Sequence, residues 1–383
     1  MKIERIETIP IRLPTRRVHQ WSSLTTPIGV YVIIKVFTDD GVVGYGESPA
    51  LKDWGGDYMK YYGETPQTTM HIINDILAPA IAGQDPCAIG LLHALMDRAV
   101  KGYPYAKAAL DMALYDAAGK ALGAPAYDLL GGCYRRRIPV AHSIGLMEIE
   151  KAVDEARQLK SEGIKTIKLK GGQKPERDVE LVRRVRDAAG PDVEITVDAN
   201  QGYDSPKTAI NAIRAMEQYR LLFMEQPVEG IDGMAQVAAS VKTPIMADES
   251  AWTPQDVREI AQKKAAEIIS LYTTKPGGLY KAKTVAAVAE AAGLRCNVNG
   301  SVETGVGNAA NLHLAASTAV ASLGCVVPVS TPAGKAKGIA GIYYSDDLIV
   351  DAFRYEDGYV LVSDKPGLGI EVDEQKLKHY RMA

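Results

Sequence analysis

"KTIKLKGGQKPERDVELVRRVRDAAGPDVEITVDAN", residues 165–200, reads as one β-strand, one helix and a second β-strand. KTIKLK (165–170) and VEITVDAN (193–200) are short β-rich runs. DVELVRRVRDAAG (178–190) spaces its apolar residues for one face of a helix and ends on glycine. Strand alternation sends Lys168 and Lys170 to the same side, so two like charges are aimed at one place.

The unit recurs along the chain. Further β-rich runs stand at IPVAHSIG (138–145), LLFMEQP (221–227), TPIMADES (243–250), EIISLY (267–272), LRCNVNG (294–300) and LGCVVPVS (323–330). Amphipathic stretches such as YKAKTVAAVAEAAG lie between most of them. About eight βα units at this spacing predict an α/β fold of the TIM-barrel type. Ahead of residue 135 the pattern differs. YVIIKVFTDDGVVGYGE reads as two strands joined by an Asp-Gly turn, and helical patterns cover about 65–82 and AKAALDMALYDAAGKALG (106–123). A smaller α+β domain therefore precedes the barrel.

Composition narrows the partners. The 383 residues carry 44 Lys+Arg against 47 Asp+Glu, a net charge of −3, which argues against nucleic acid or an acidic membrane surface. The four cysteines are scattered and form no CxxC pair, as expected of reduced thiols. MKIERIETIPIRLP has no apolar core of a signal peptide, and no apolar run is long enough to span a bilayer. The expectation is a cytoplasmic protein acting on a small molecule. GYGESP lacks the third glycine of a dinucleotide fingerprint and precedes no helix of a βαβ unit, and no GxSxG elbow or Walker loop is present.

Barrel chemistry gathers at the C-terminal ends of the strands. Those ends are polar here: Lys168 and Lys170 on the second strand, Asp198 and Asn200 on the third, Glu225 and Gln226 on the fourth, Asp248 and Glu249 on the fifth. Neighbouring strands lie roughly 5 Å apart, so carboxylates from three of them can share one hard cation. Any one of these acids has an ordinary structural use, as a helix cap or an ion-pair partner. Three at consecutive strand ends need compensating positive charge, and oxygen donors without His or Cys favour Mg²⁺ over zinc.

The series KLK, DAN, EQP and ADES, in that order and at those strand ends, resembles the enolase superfamily and its muconate lactonizing enzyme subgroup. AKAALDMALYDAAGKALGAPAYDLLGG, KPGGLYKAKTVAAVAEAAGL, NGSVETGVGNAANLHLAAS and DGYVLVSDKPGLGIEVDEQKL are similar to segments of the same family, so the resemblance spans the chain. It implies a modified (β/α)7β barrel over residues 131–350, an N-terminal α+β capping domain over 1–130, and a segment 351–383 returning to the cap. It also implies Asp198, Glu225 and Asp248 as ligands of Mg²⁺, with Mn²⁺ as a substitute, Glu249 in support of them, and a homo-oligomer. The reaction common to the family is removal of the proton α to a carboxylate.

Such a proton is weakly acidic, so both a base and stabilisation of the resulting anion are needed. A lysine with an ordinary pKa of about 10.4 is protonated at neutral pH unless a second ammonium and a metal press on it. On this reasoning Lys168 lowers Lys170, and Lys170 takes the proton.

The chain departs from the family at Tyr272, where relatives carry a lysine facing the first two across the substrate. Racemases and epimerases need a base on each side of the α-carbon, so Tyr272 weighs against them. One base suffices for syn β-elimination, as in dehydration, or for cycloisomerisation. Tyr272 donates a hydrogen bond, acts as a catalytic acid, or packs the barrel wall. Lys275 matches a lysine that relatives also have and gains no role. Glu303 is a candidate acid or loop anchor, and Asn297 and Asn299 alternate on the seventh strand as substrate contacts. Trp21, Trp54, Tyr58, Tyr61 and Tyr62 fall in the two cap loops that set specificity in the family and suit a small cyclic or planar acid. His19 reaches the substrate or stands in solvent. The competing functions are racemisation or epimerisation of an amino-acid derivative, and carboxylate binding without catalysis.

Overall fold

The computed structural model describes all residues except 23, 25, 26, 58–62 and 383, so Tyr58, Tyr61 and Tyr62 lie outside the described residues. The cap begins with three antiparallel strands in sequential order, Ile3–Arg12, Val30–Thr38 and Val43–Pro49. The hairpin between the last two turns at Gly41, whose φ of 85° suits glycine. A helical run then covers 66–81 with a π-type turn at Ile72–Leu77, and helices Ile89–Ala99 and Pro104–Leu122 follow. The last of these ends on Gly123 in the left-handed region, φ 65°.

The Pro104–Leu122 helix is buried on all sides from Tyr105 to Gly119, as its alanines permit. One face lies on the strand Val43–Pro49, whose Gly44 and Gly46 give it room: a Cβ on Gly46 would stand 1.9 Å from the Ala109 carbonyl oxygen. The helix also supplies Asp111, which accepts from the Leu279 amide at 2.6 Å and so caps a barrel helix, Leu279–Ala291. Cap and barrel thereby share a core.

Seven parallel strands form the barrel sheet in chain order: Ala141–Ile144, Thr166–Lys170, Glu194–Asp198, Phe223–Glu225, Ile245–Ala247, Ile268–Leu271 and Arg295–Val298. The predicted eighth strand, 323–330, is no regular strand. The sheet closes through single bridges, Cys296 to Ala321 and Val140 to Cys325. Pro328 has no N–H to give to a ladder, which accounts for pairing that stops short of the run's end. This is the modified TIM barrel with a small capping sheet expected from the sequence.

After the barrel the chain first pairs Tyr359–Leu361 with Arg137–Pro139. It then returns to the cap sheet, where the Met382 amide donates to the Pro10 carbonyl at 2.8 Å and Lys35 pairs with Glu374 at 2.7 Å. Among the described residues no helix is long and apolar enough to cross a membrane.

Gly46→Ala should separate strand from helix, because the added methyl meets backbone rather than a movable side chain. A loss of about 3 kcal/mol or more is expected, read as a lower urea midpoint.

Candidate functional site

Strand register builds the rim. Lys170 pairs with Asp198 and Asp198 with Glu225 on adjacent strands, so the three stand at one level of the barrel. Asp248 follows directly after the fifth strand. All four residues are buried, together with Lys168, Glu249 and Lys275.

The charges interleave. Lys170 Nζ donates to Asp198 Oδ2 at 2.6 Å and to Asn200 Oδ1 at 2.8 Å. Lys168 Nζ stands between two acids, 2.9 Å from Asp198 Oδ2 and 2.8 Å from Glu225 Oε2. Beyond that ion pair Glu225 Oε2 has no hydrogen-bond partner among the described residues. Lys275 Nζ donates to Asp248 Oδ1 at 2.7 Å and to the Ser270 carbonyl at 2.8 Å. It is not in the cavity wall and is fully committed to positioning Asp248.

Titration follows from these neighbours. Burial alone would lower the Lys168 ammonium, but Asp198, Glu225 and Asp248 outweigh it and hold it above the ordinary lysine range. Burial would raise Asp198, but Lys168 and Lys170 keep it at about 2. Glu225 is pushed up to about 8 by burial and by Asp198 and Asp248, and Glu249 rises for the same kind of reason. Both ammonium groups reach the same oxygen of Asp198, which offsets their mutual repulsion.

Two clamps fix the rim. Gln226 Oε1 accepts from the Asp248 amide at 2.9 Å and the Ser250 amide at 3.2 Å, tying the ends of strands four and five. Asn200, in the left-handed region at φ 45°, receives Lys170 and donates to Glu249 Oε1 at 2.9 Å. Asn299 donates to Glu225 Oε1 at 3.1 Å and lines the cavity. Asn297 does not line it. It donates to Asn299 Oδ1 at 2.9 Å and so orients its neighbour.

A cavity opens over Lys168 and Lys170, walled by Trp21, Trp54, Tyr272 and Asn299. Tyr272 donates to Asp248 Oδ2 at 3.2 Å and stacks on Trp54 with ring centroids 5.5 Å apart. Its phenol is held well above the ordinary value by burial and by Asp248 and Glu225. Glu303 lies behind the wall. Its Oε1 accepts from the Ser301 amide at 2.8 Å, and burial raises it to about 7, a placement that suits a loop anchor. The sequence reading did not single out Ser143 or Tyr343, which also line the cavity, and His19 lines it rather than standing in solvent. Ser143 had a signal in its alternation with Ala141 on the first strand.

Among the described residues no three acid, thiol or imidazole groups converge on one point as they stand, because ammonium groups lie between the carboxylates. The donor set nevertheless fits a hard divalent cation. It is all oxygen, four buried carboxylates outnumber three ammonium groups, and Glu225 Oε2 and Glu249 Oε2 are buried without a hydrogen bond.

Residues 5–131 match the N-terminal domain of the mandelate racemase/muconate lactonizing enzyme family, and residues 151–376 match the enolase C-terminal domain-like family. The chain is 33% identical over 380 residues to the N-succinyl-L-Arg/Lys racemase of Bacillus cereus, covering 99% of this chain and 97% of that protein. The crystal structure of muconate lactonizing enzyme from Pseudomonas fluorescens complexed with muconolactone superposes with a TM-score of 0.91 at 31% identity, covering 100% and 99% of the two chains. The dipeptide epimerase of Enterococcus faecalis V583, complexed with Mg and the dipeptide L-Leu-L-Tyr, gives 0.85 at 29%, covering 97% and 100%.

One carboxylate holds the cap loop to the barrel. Glu155 Oε1 accepts from Arg17 Nη2 at 2.8 Å, Arg16 Nη2 at 3.3 Å and His142 Nε2 at 2.8 Å. Burial would raise it, but His142 and Arg17 pull it from 4.5 down to about 2. A depressed acid stabilises the fold above its unfolded pKa and loses that contribution as pH falls through its folded one. Glu155→Gln should therefore cost on the order of 3 kcal/mol at pH 7. In urea titrations at several pH values, its difference from the parent should shrink between pH 4.5 and about 2.

Proposed function

This chain belongs to the mandelate racemase/muconate lactonizing enzyme family of the enolase superfamily, and from that membership we propose a Mg²⁺-dependent reaction on a small carboxylic acid. Lys170 removes the proton α to the carboxylate, and syn β-elimination or ring closure completes the reaction. The observation that carries this reading is the one-sided distribution of amines in the cavity. The second strand brings Lys168 and Lys170, while the sixth-strand position across the barrel is Tyr272, whose hydroxyl is turned to Asp248.

Asp198, Glu225 and Asp248 would hold the ion, with Glu249 beside them hydrogen-bonded to Asn200. When bound, Mg²⁺ supplies Lewis-acid stabilisation of the negative charge that develops on the substrate carboxylate. Lys170 takes the proton, and Lys168, on the same strand beside it, is the cation that faces the new charge. Asn200 Oδ1, 2.8 Å from Lys170 Nζ, keeps the amine aimed. Lys275 and Tyr272 both donate to Asp248 and hold that side chain in place.

The similarity to a racemase and an epimerase favours a second reading, two-base inversion at the α-carbon. It needs a base where Tyr272 stands, and a phenol donating to a carboxylate is poorly placed to accept a proton.

Lys170→Ala should reduce Mg²⁺-dependent α-proton exchange in D₂O by about 10³-fold or more while substrate binding changes only a few-fold. Retained exchange would remove Lys170 from the mechanism. Tyr272→Lys should add exchange from the opposite face, seen by NMR as inverted, deuterated substrate. Single-face exchange in a folded Tyr272→Lys protein would count against the one-base reading.

A further inference from the structure

Two hydrogen-bond donors in the cavity wall have no partner among the described residues. His19 is 5% exposed, and its Nδ1 lies 3.3 Å from Arg17 Nη1. A guanidinium can only donate, so Nδ1 is the acceptor and the neutral ring carries its proton on Nε2. Burial, then Arg17 and Lys170, hold the imidazole well below its ordinary pKa, which keeps it neutral. Nε2 has no hydrogen-bond partner among the described residues and is not sealed from solvent. The ring is braced by Tyr343 edge-on, with centroids 5.1 Å apart, and Arg17 is itself fixed by Glu155.

Ser143 is the second donor. It is 2% exposed, pairs in register with Lys168, and has its amide on the Tyr343 hydroxyl at 3.0 Å. Its Oγ is buried without a partner among the described residues. Both side chains line the cavity that holds Lys168 and Lys170. They stand on the base's side: Lys170 Nζ lies 5.3 Å over the Trp21 ring, and His19 packs edge-on against that same ring at 6.2 Å.

We propose that His19 and Ser143 form a two-donor subsite for an oxygen on the carbon next to the one that loses its proton. The substrate is then a 3-hydroxy carboxylic acid and the reaction its dehydration. Neutral donors suit a hydroxyl, whereas a second carboxylate would need a cation. Arg17 does not line the cavity, and its Nη2 is held by Glu155 and its Nη1 by His19 and the Val18 carbonyl. The inference rests on Lys170 as the base. The α C–H bond breaks, its proton goes to Lys170 Nζ and its electrons form the C=C bond. The C–O bond breaks with its electrons on oxygen, and Lys170 returns the proton to that oxygen. Water leaves on the face from which the proton came. His19 and Ser143 hold the departing oxygen and neither gains nor loses a proton.

The test uses the Mg²⁺-loaded protein and matched acids: threonine with 2-aminobutyrate, malate with succinate, 2-hydroxycyclohexanecarboxylate with its deoxy partner, and cis,cis-muconate. Binding is read by tryptophan fluorescence, and elimination and α-deuteration by NMR in D₂O. At least one hydroxy acid should bind about ten-fold tighter than its partner and lose water. His19→Leu and Ser143→Ala should each weaken binding of the hydroxy acid by about that factor and binding of its deoxy partner by less. His19→Gln, which keeps an N–H near the position of Nε2, should restore most of it. The proposal is overturned if no hydroxy acid is preferred, if muconate is bound best and cyclised, or if both members of a pair lose equally in His19→Leu. Lys170→Ala separates the two readings: persistent exchange there defeats the base, while the hydroxyl preference in binding is judged on its own. Should His19→Leu fail to fold, ¹⁵N NMR of the wild-type ring decides, with its signals identified by their absence in His19→Gln. A neutral ring protonated on Nε2 supports the subsite, and a charged ring or one protonated on Nδ1 overturns it.

Discussion

A carboxylate taken out of water must meet positive charge or hydrogen bonds, and the mouth of this barrel buries Asp198, Glu225, Asp248 and Glu249 together. Parallel register forces the proximity, since adjacent strand ends at one level cannot avoid one another. Lys168, Lys170 and Lys275 interleave with the acids, and each lysine has at least one carboxylate oxygen within ion-pair distance. The cluster still carries one more acid than base, and the excess shows in Glu225 and Glu249, both pushed toward protonation. A divalent cation would relieve that strain by charge alone, so the metal and the base proposed for this mouth would have the same origin.

The cap is joined to this mouth by carboxylates rather than by apolar contact alone. Glu47, on the strand Val43–Pro49, accepts from the Thr304 amide at 2.9 Å, the Gly307 amide at 3.0 Å and the Thr304 hydroxyl. It therefore caps the helix Gly305–Ser317 that follows the seventh strand. Glu155 makes the reverse tie, from a barrel helix to Arg17 in the cap loop. These ties fix the distance between the loop bearing His19 and Trp21 and the strands bearing the lysines. Site geometry is thus a property of the interface and of neither domain by itself.

This division explains how much was legible in the sequence. Lys168, Lys170, Asp198, Glu225 and Asp248 could be placed together because a two-residue strand period and a repeated βα unit convert sequence spacing into position on a rim. The same logic located the hairpin at Gly41 and the helix ending at Gly123. It failed where position depends on contacts between distant segments. Nothing local in VHQW says that His19 is buried against Tyr343, more than 300 residues later, or that Arg17 sets its tautomer. Glu303 stood open between site acid and loop anchor, because only the fold shows the loop turning through Val302 at φ 61° and the carboxylate accepting from the Ser301 amide. The run 323–330 has the composition of a strand but pairs on the first-strand side only through the isolated bridge Val140 to Cys325, and its Val329 amide turns to the Gly341 carbonyl instead.

Tyr272 connects charge to shape. Strands two and six face each other across the barrel, so a lysine at this position would have put a fourth ammonium opposite Lys170. A neutral phenol instead leaves the carboxylates in excess, which favours the cation, and removes the base from the far wall. Its ring then becomes part of a flat surface, stacked on Trp54, which in turn stacks on Trp252 at 5.4 Å. Lys275 Nζ lies 4.3 Å over that ring, so the amine nearest to this wall is held by Asp248 and the aromatic face together. The cavity is therefore polar and basic on the side of the second strand and aromatic on the side of the sixth. A substrate bound between them would face amines on one side and ring surface on the other, and on that asymmetry the proposed one-base reaction rests.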